Sequence, residues 1–128
     1  MLIPHGAVIA VVDGNTWQLF RNAGNEAAPE LTAMETPILV EHNHSVGGSH
    51  ASPHNQDEAA HCAAVADWIN RQVLGHKIAD LIVIAPPRAL GELRHQFGKA
   101  VQHVLRRELA KDLIGRQPAD IIAALRSK

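Results

Sequence analysis

No stretch of this 128-residue chain approaches the ~20 consecutive apolar residues that a membrane-spanning helix requires. The N-terminus has no basic segment followed by a long apolar one, so nothing asks for export and the expected location is cytoplasmic. A single cysteine, Cys62, cannot close an internal disulfide, which fits a reducing compartment. Net charge is -1 with histidines neutral, so there is no overall attraction to phosphate backbones or acidic membranes. Any nucleic-acid contact would depend on a local patch. Also missing are the Gly-x-Ser-x-Gly elbow, the phosphate loop, the dinucleotide fingerprint and the Cys-x-x-Cys or His-Glu-x-x-His spacings. No cofactor and no catalytic residue is therefore expected. Tyrosine is absent while histidine occurs nine times, the one compositional oddity.

What is present suffices for one domain over residues 1–128. With 46% apolar residues, a chain of this length buries roughly two-thirds of its unfolded surface around one core. Ala7-Val8-Ile9-Ala10-Val11-Val12 is a β-rich run, Asp13-Gly14-Asn15 is turn chemistry, and Thr16-Trp17-Gln18-Leu19-Phe20 alternates, so residues 7–20 read as a hairpin. A third strand is expected within residues 31–41, on the signal of Ile38-Leu39-Val40. After Ser52-Pro53, Asp57 and Glu58 mark a first helical turn, and Ala59, Cys62, Ala66, Ile69 and Val73 recur at steps of three and four up to Gly75. Residues 79–85, apolar except for Asp80, suit a strand covered on both faces at the centre of the sheet. Beyond Gly98 the spacing leaves two readings open: Val101, Val104, Leu105 and Leu109 continue a helix, or residues 104–109 form an edge strand. Gln117-Pro118-Ala119-Asp120 opens a last short helix.

The segment LIVIAPPRALGELR at residues 81–94 joins strand to helix. Proline cannot donate to a sheet ladder and suits the first helical position, so Pro86 and Pro87 end the one element and begin the other. Leu90, Leu93 and Phe97 then share a face. Arg88 falls in the first turn, where the macrodipole slightly disfavours a cation, so helix stability does not explain it. It either pairs with a carboxylate or lies in solvent, or it contacts an anion or a backbone at the carboxyl end of a central strand, where open α/β sheets bind ligands.

Four segments, VIAVVDGNTWQLFRN, Pro53-His54, LIVIAPPRALGELR and Lys111-Asp112-Leu113, together resemble the bacterial host attachment proteins, described as required for attachment to host cells. The family looks related to the middle domain of the archaeal and eukaryotic translation release factor. That resemblance implies a ribonuclease-H-like α/β fold, three antiparallel strands followed by alternating helices and strands, and makes residues 104–109 the fifth strand. It implies Pro87, Arg88, His54, Lys111 and Asp112 as partner-binding candidates, with His54 alternatively a packing residue at a helix start. Two positions depart from the family pattern: His61 stands where phenylalanine is frequent, and Ile114 where threonine is usual.

A rival reading comes from HNHSVGGSHASPH, which places His42, His44, His50 and His54 within thirteen residues. A His-x-His pair on a strand can aim two imidazoles at one metal, as a metal-dependent hydrolase requires. Gly47-Gly48-Ser49 is poorly suited to ordering such ligands, so the expectation is a solvated, histidine-rich loop that holds no metal. Two-metal nuclease chemistry would need several converging carboxylates. Asp13, read as a turn former, leaves only Glu35 and Glu41 on the third strand. The sequence therefore points to a non-enzymatic binding domain. Its partner is the ribosome or RNA if the release-factor likeness governs; host-cell contact is implied only by the family name.

Overall fold

The computed structural model describes residues 3–39 and 53–127, the side chains of residues 53–57 excepted. Five strands, β1 (Val8–Val12), β2 (Trp17–Asn22), β3 (Leu31–Met34), β4 (Leu81–Ala85) and β5 (Leu105–Ala110), form one sheet in the order β3-β2-β1-β4-β5. The β1–β2 and β2–β3 pairs are antiparallel, and β1–β4 and β4–β5 are parallel. Helix α1 (Pro53–Leu74) crosses from the antiparallel part to β4. Helices α2 (Pro87–Gln96) and α3 (Lys99–Val104) then lead to β5, and α4 (Pro118–Arg126) closes the described chain. Three antiparallel strands followed by alternating helices and strands is the arrangement the family resemblance implies.

Alternation of side chains along the strands splits the core in two. Val8, Ala10, Val12, Leu81, Val83 and Ala85 face α1, α2 and α3, meeting Cys62, Ala66, Ile69, Leu90, Leu93 and Val101. Ile9, Val11, Ile82 and Ile84 face the other way, onto Ile121 and Leu125 of α4. Both faces of β1 and β4 are covered, so their ten residues are all buried and show no polar alternation. The expected central strand is interior, but β1 rather than β4 occupies the middle of the sheet. The strand also starts at Leu81 rather than Ala79. Asp80 precedes the ladder, its carbonyl accepting from the Val8 N–H at 2.9 Å.

Three other expectations shift. The third strand lies within residues 31–41 but at Leu31–Met34, because Pro37 has no N–H for a ladder; Ile38 is 98% exposed, and Val40 lies outside the described residues. Helix α1 begins at Pro53, so Asp57 and Glu58 belong to its second turn. It ends as expected around Gly75, although the left-handed residue that closes it is His76, at φ 61°, whose N–H reaches the Val73 carbonyl while that of Lys77 reaches Gln72. Beyond Gly98 both alternatives hold in turn: Lys99–Val104 is helical and Leu105–Ala110 is a strand.

One buried polar residue ties the antiparallel part together. Asn22, fully buried, donates its Nδ2 to the carbonyls of Ile3 and Pro4, at 3.0 and 3.2 Å. Its Oδ1 accepts from the backbone of Gly24 and Glu30, both at 2.9 Å. A buried amide so fully satisfied fixes both the N-terminal segment and the β2–β3 loop.

Candidate functional site

The parallel strands bring the sequence-predicted residues to one end of the sheet. Val11 of β1 pairs with Ile84 of β4, and Ala85 of β4 pairs with Ala110 of β5. The chain therefore leaves the sheet side by side at residues 13–16, at Pro86-Pro87-Arg88 and at Lys111-Asp112. The first turn of α1, with His54, also belongs to this end, since Glu58 one turn later packs against Gly14. Its Cγ occupies the space a Cβ on Gly14 would need, 2.5 Å away. The side chain of His54 is outside the described atoms, and so are His42, His44 and His50.

Each segment is held by local chemistry. Asp13 acts as the turn former it was read to be, its Oδ1 accepting the N–H groups of Asn15 and Thr16 at 2.8 and 2.7 Å. Pro86, at φ -57° and ψ 155°, caps α2 through its carbonyl, which accepts the Leu90 N–H at 2.9 Å, and Pro87 occupies the first helical position. Asp112 Oδ1 accepts the Ile114 N–H at 3.4 Å, and Gly115, at φ 81°, donates its N–H to Gln18 Oε1 at 3.0 Å. Leu113 and Ile114 pack on the α4 side of the core, so the departure at Ile114 serves packing.

Arginines sort into two kinds. Arg94 reaches Glu108 at 2.8 Å and Arg106 reaches Asp80 at 2.6 Å, tying α2 to β5 and β5 to the start of β4. Arg107 donates to the Leu125 carbonyl at 2.6 Å, at the C-terminal end of α4. Arg88 is exposed and makes no hydrogen bond or ion pair with any described residue, and the Lys111 ammonium is likewise exposed and unpaired. Of the structural alternatives for Arg88, exposure to solvent is the one seen among the described residues.

Chemistry at Cys62 is suppressed. Burial, reinforced by the carboxylates of Glu92, Glu58 and Asp13, pushes its thiol up to about 12. Such a thiol is a poor nucleophile. The gathering of Glu58 and Glu92 beside it was not read from the sequence, although Glu58 stands four residues before Cys62 and therefore on the same helical face. Among the described residues no group of three or more His, Cys, Asp or Glu side chains could hold a metal ion. Glu35 follows β3, and β2 lies between β3 and β1, the strand that Asp13 follows, about two strand spacings or 10 Å away; Glu41 lies outside the described residues. His61, at the second departure, is 6% exposed and its Nε2 meets no partner among the described residues.

Two clefts lie elsewhere. One of about 540 Å³ runs between β2, β3 and residues 115–118, with Phe20, Gln18, Thr36 and Arg116 on its walls. The other, about 630 Å³, lies between residues 35–38 and Trp68 and Gln72 of α1. Neither contains a residue singled out in the sequence as a partner contact.

The site is thus the loop-bearing end of a five-stranded mixed sheet in an α/β protein, with a proline-started helix presenting an arginine that is unpaired among the described residues. Residues 39–125 match the family described as "Protein required for attachment to host cells", and the chain belongs to that family. The matched part begins beyond β3, so it contains Pro53-His54, LIVIAPPRALGELR and Lys111-Asp112-Leu113 but not the β1–β2 hairpin. No curated protein is significantly similar to the chain.

Proposed function

We propose that this family member is a binding domain without catalytic chemistry of its own. It docks a cytoplasmic partner, the ribosome or its RNA, at the carboxyl end of β4. The observation that carries this reading is that Arg88 and Lys111, which follow adjacent strands at one end of the sheet, are exposed and unpaired among the described residues, whereas carboxylates neutralise Arg94 and Arg106. A cation in the first turn of a helix gains nothing from the macrodipole, so its placement is explained by an anionic partner approaching that end. The likeness of residues 81–94 to the bacterial host attachment proteins supports a bacterial source, and that family's resemblance to the release-factor middle domain, together with the strand arrangement, supports a ribosomal setting. Attachment to host cells is on this reading a consequence for the whole cell rather than a contact made by this chain.

Cosedimentation with ribosomal particles tests the proposal. Wild-type chain pellets with the particles, while Arg88→Ala and Lys111→Ala stay in the supernatant with unchanged melting temperatures. Undiminished pelleting of both variants overturns it. The rival metal-dependent hydrolase is tested by metal content of untagged protein: stoichiometric zinc, lost together in His42→Ala and His44→Ala, would replace the binding reading.

A further inference from the structure

The chain's charge of -1 hides an asymmetry. Residues 1–85 carry three Lys/Arg against nine Asp/Glu, net -6, and residues 86–128 carry nine against four, net +5. The dividing point is the end of β4, and beyond it the chain builds α2, α3, the edge strand β5 and then α4, which packs under β1 and β4. Of these nine cations, Arg88, Arg94, Lys99, Arg106, Arg107 and Lys111 belong to α2, α3, β5 and the residue after it, whereas Arg116 lines the cleft against β2 and β3 and Arg126 donates to the Ala27 carbonyl between those strands.

Not all of these charges are free. Glu108 and Asp80 neutralise Arg94 and Arg106, and carbonyls hold Arg107. Along β5 and the helices leading to it, Arg88, Lys99 and Lys111 remain exposed and unpaired among the described residues, while Arg116, exposed and unpaired as well, lies at the cleft against β2 and β3. Lys99 opens α3 near the start of β5, whereas Arg88 and Lys111 sit at its far end. The six residues of β5 separate the two ends by roughly 20 Å. Spaced cations along an edge suit a repeating anion better than a single one.

From this we infer that the β5 side of the sheet is a docking surface for the phosphate backbone of a nucleic-acid duplex, an inference that rests on the ribosomal reading above and gives it a surface. Two features favour nucleic acid over an acidic protein. Protein interfaces take their affinity from buried apolar and aromatic anchors. The exposed large apolar residues among the described ones are Ile38 and Leu74, both before residue 85. Phe97, the one phenylalanine, tyrosine or tryptophan beyond residue 85, is buried. That leaves no phenyl or indole platform on which single-stranded bases would stack. Backbone contact to a duplex needs neither anchor nor platform, only spaced cations.

Fluorescence anisotropy of labelled RNA and DNA duplexes of one sequence, titrated with the full chain, tests this. Three phosphate contacts give a slope of log affinity on log salt of about -2.7, or roughly a fortyfold loss between about 50 and 200 mM. Lys99→Ala, with its melting temperature checked, reduces the slope by about one, and Lys77→Ala, in the acidic part, leaves it alone. Absence of duplex binding, a slope indifferent to Lys99→Ala, or preference for a polyglutamate peptide overturns the inference. If ribosomal particles still pellet the chain while the duplexes do not bind, this surface assignment alone fails; loss of both removes the ribosomal reading as well.

Discussion

The antiparallel part of the sheet and the parallel part treat their polar groups in opposite ways. In β1, β2 and β3 the decisive polar side chains point inward or into turns: Asn22 is buried with its amide fully engaged, and Asp13 holds the hairpin turn. Around β4 and β5 the core is entirely apolar, and the polar side chains lie outside it as ion pairs or as free cations. The same kind of residue therefore does folding work on one side and is left available on the other. A substitution should reveal which side it belongs to by what it changes, stability or binding.

The sharpest break is expected at Asn22. Asn22→Ala strands the backbone N–H groups of Gly24 and Glu30 and the Ile3 carbonyl, and denaturant unfolding should show a loss of about 4 kcal/mol or more. Leu93→Ala, at a fully buried position on α2, should cost ~2–5 kcal/mol in the same experiment by opening a cavity. A stability loss below ~1 kcal/mol at either position would mean that the core described here is not the one that folds the chain.

His61 sharpens the comparison from the other direction. It is a buried polar residue of the acidic part whose Nε2 has no partner among the described residues, so His61→Phe should raise stability by about 1 kcal/mol. A loss would show that the imidazole has a contact the described residues do not provide.

Cys62 gives a pH signature. Its thiol is raised from an ordinary 9.0 to about 12 in the folded chain, so between those values the folded state keeps a proton that the unfolded state has released. This stabilising contribution is complete below about pH 9 and is lost as pH rises toward 12. Unfolding followed across that window should show stability falling with pH, and Cys62→Ala should remove that part of the slope. The smallest stability change is expected at Arg88, where alanine should shift unfolding by no more than ~0.5 kcal/mol while weakening partner binding.

Much of this was legible in the sequence because the signals were local and mutually consistent. The hairpin follows from a β-rich run, a turn and an alternation, and Pro86-Pro87 fixes the strand-to-helix junction whatever surrounds it. The third strand was misplaced within its window because Ile38-Leu39-Val40 carries strong β propensity, whereas Leu31–Met34 owes its place to pairing with β2, a long-range contact. The site was half legible. Pattern and resemblance pointed to Arg88, Lys111 and Asp112, but that these leave adjacent strands together depends on register, and that Arg94 and Arg106 are neutralised depends on partners 14 and 26 residues away. The charge asymmetry across residue 85 was open to counting, but the overall balance of -1 conceals it.

Lysine footprinting tests the central claim most directly, because three of the chain's lysines, Lys77, Lys99 and Lys111, are exposed and lie on both sides of the comparison. Acetylation of the full chain, free and bound to ribosomal particles, is read residue by residue by mass spectrometry. Protection of Lys99 and Lys111 with Lys77 unchanged is the predicted result. Equal protection of Lys77, or no protection of Lys99 and Lys111, would contradict the account.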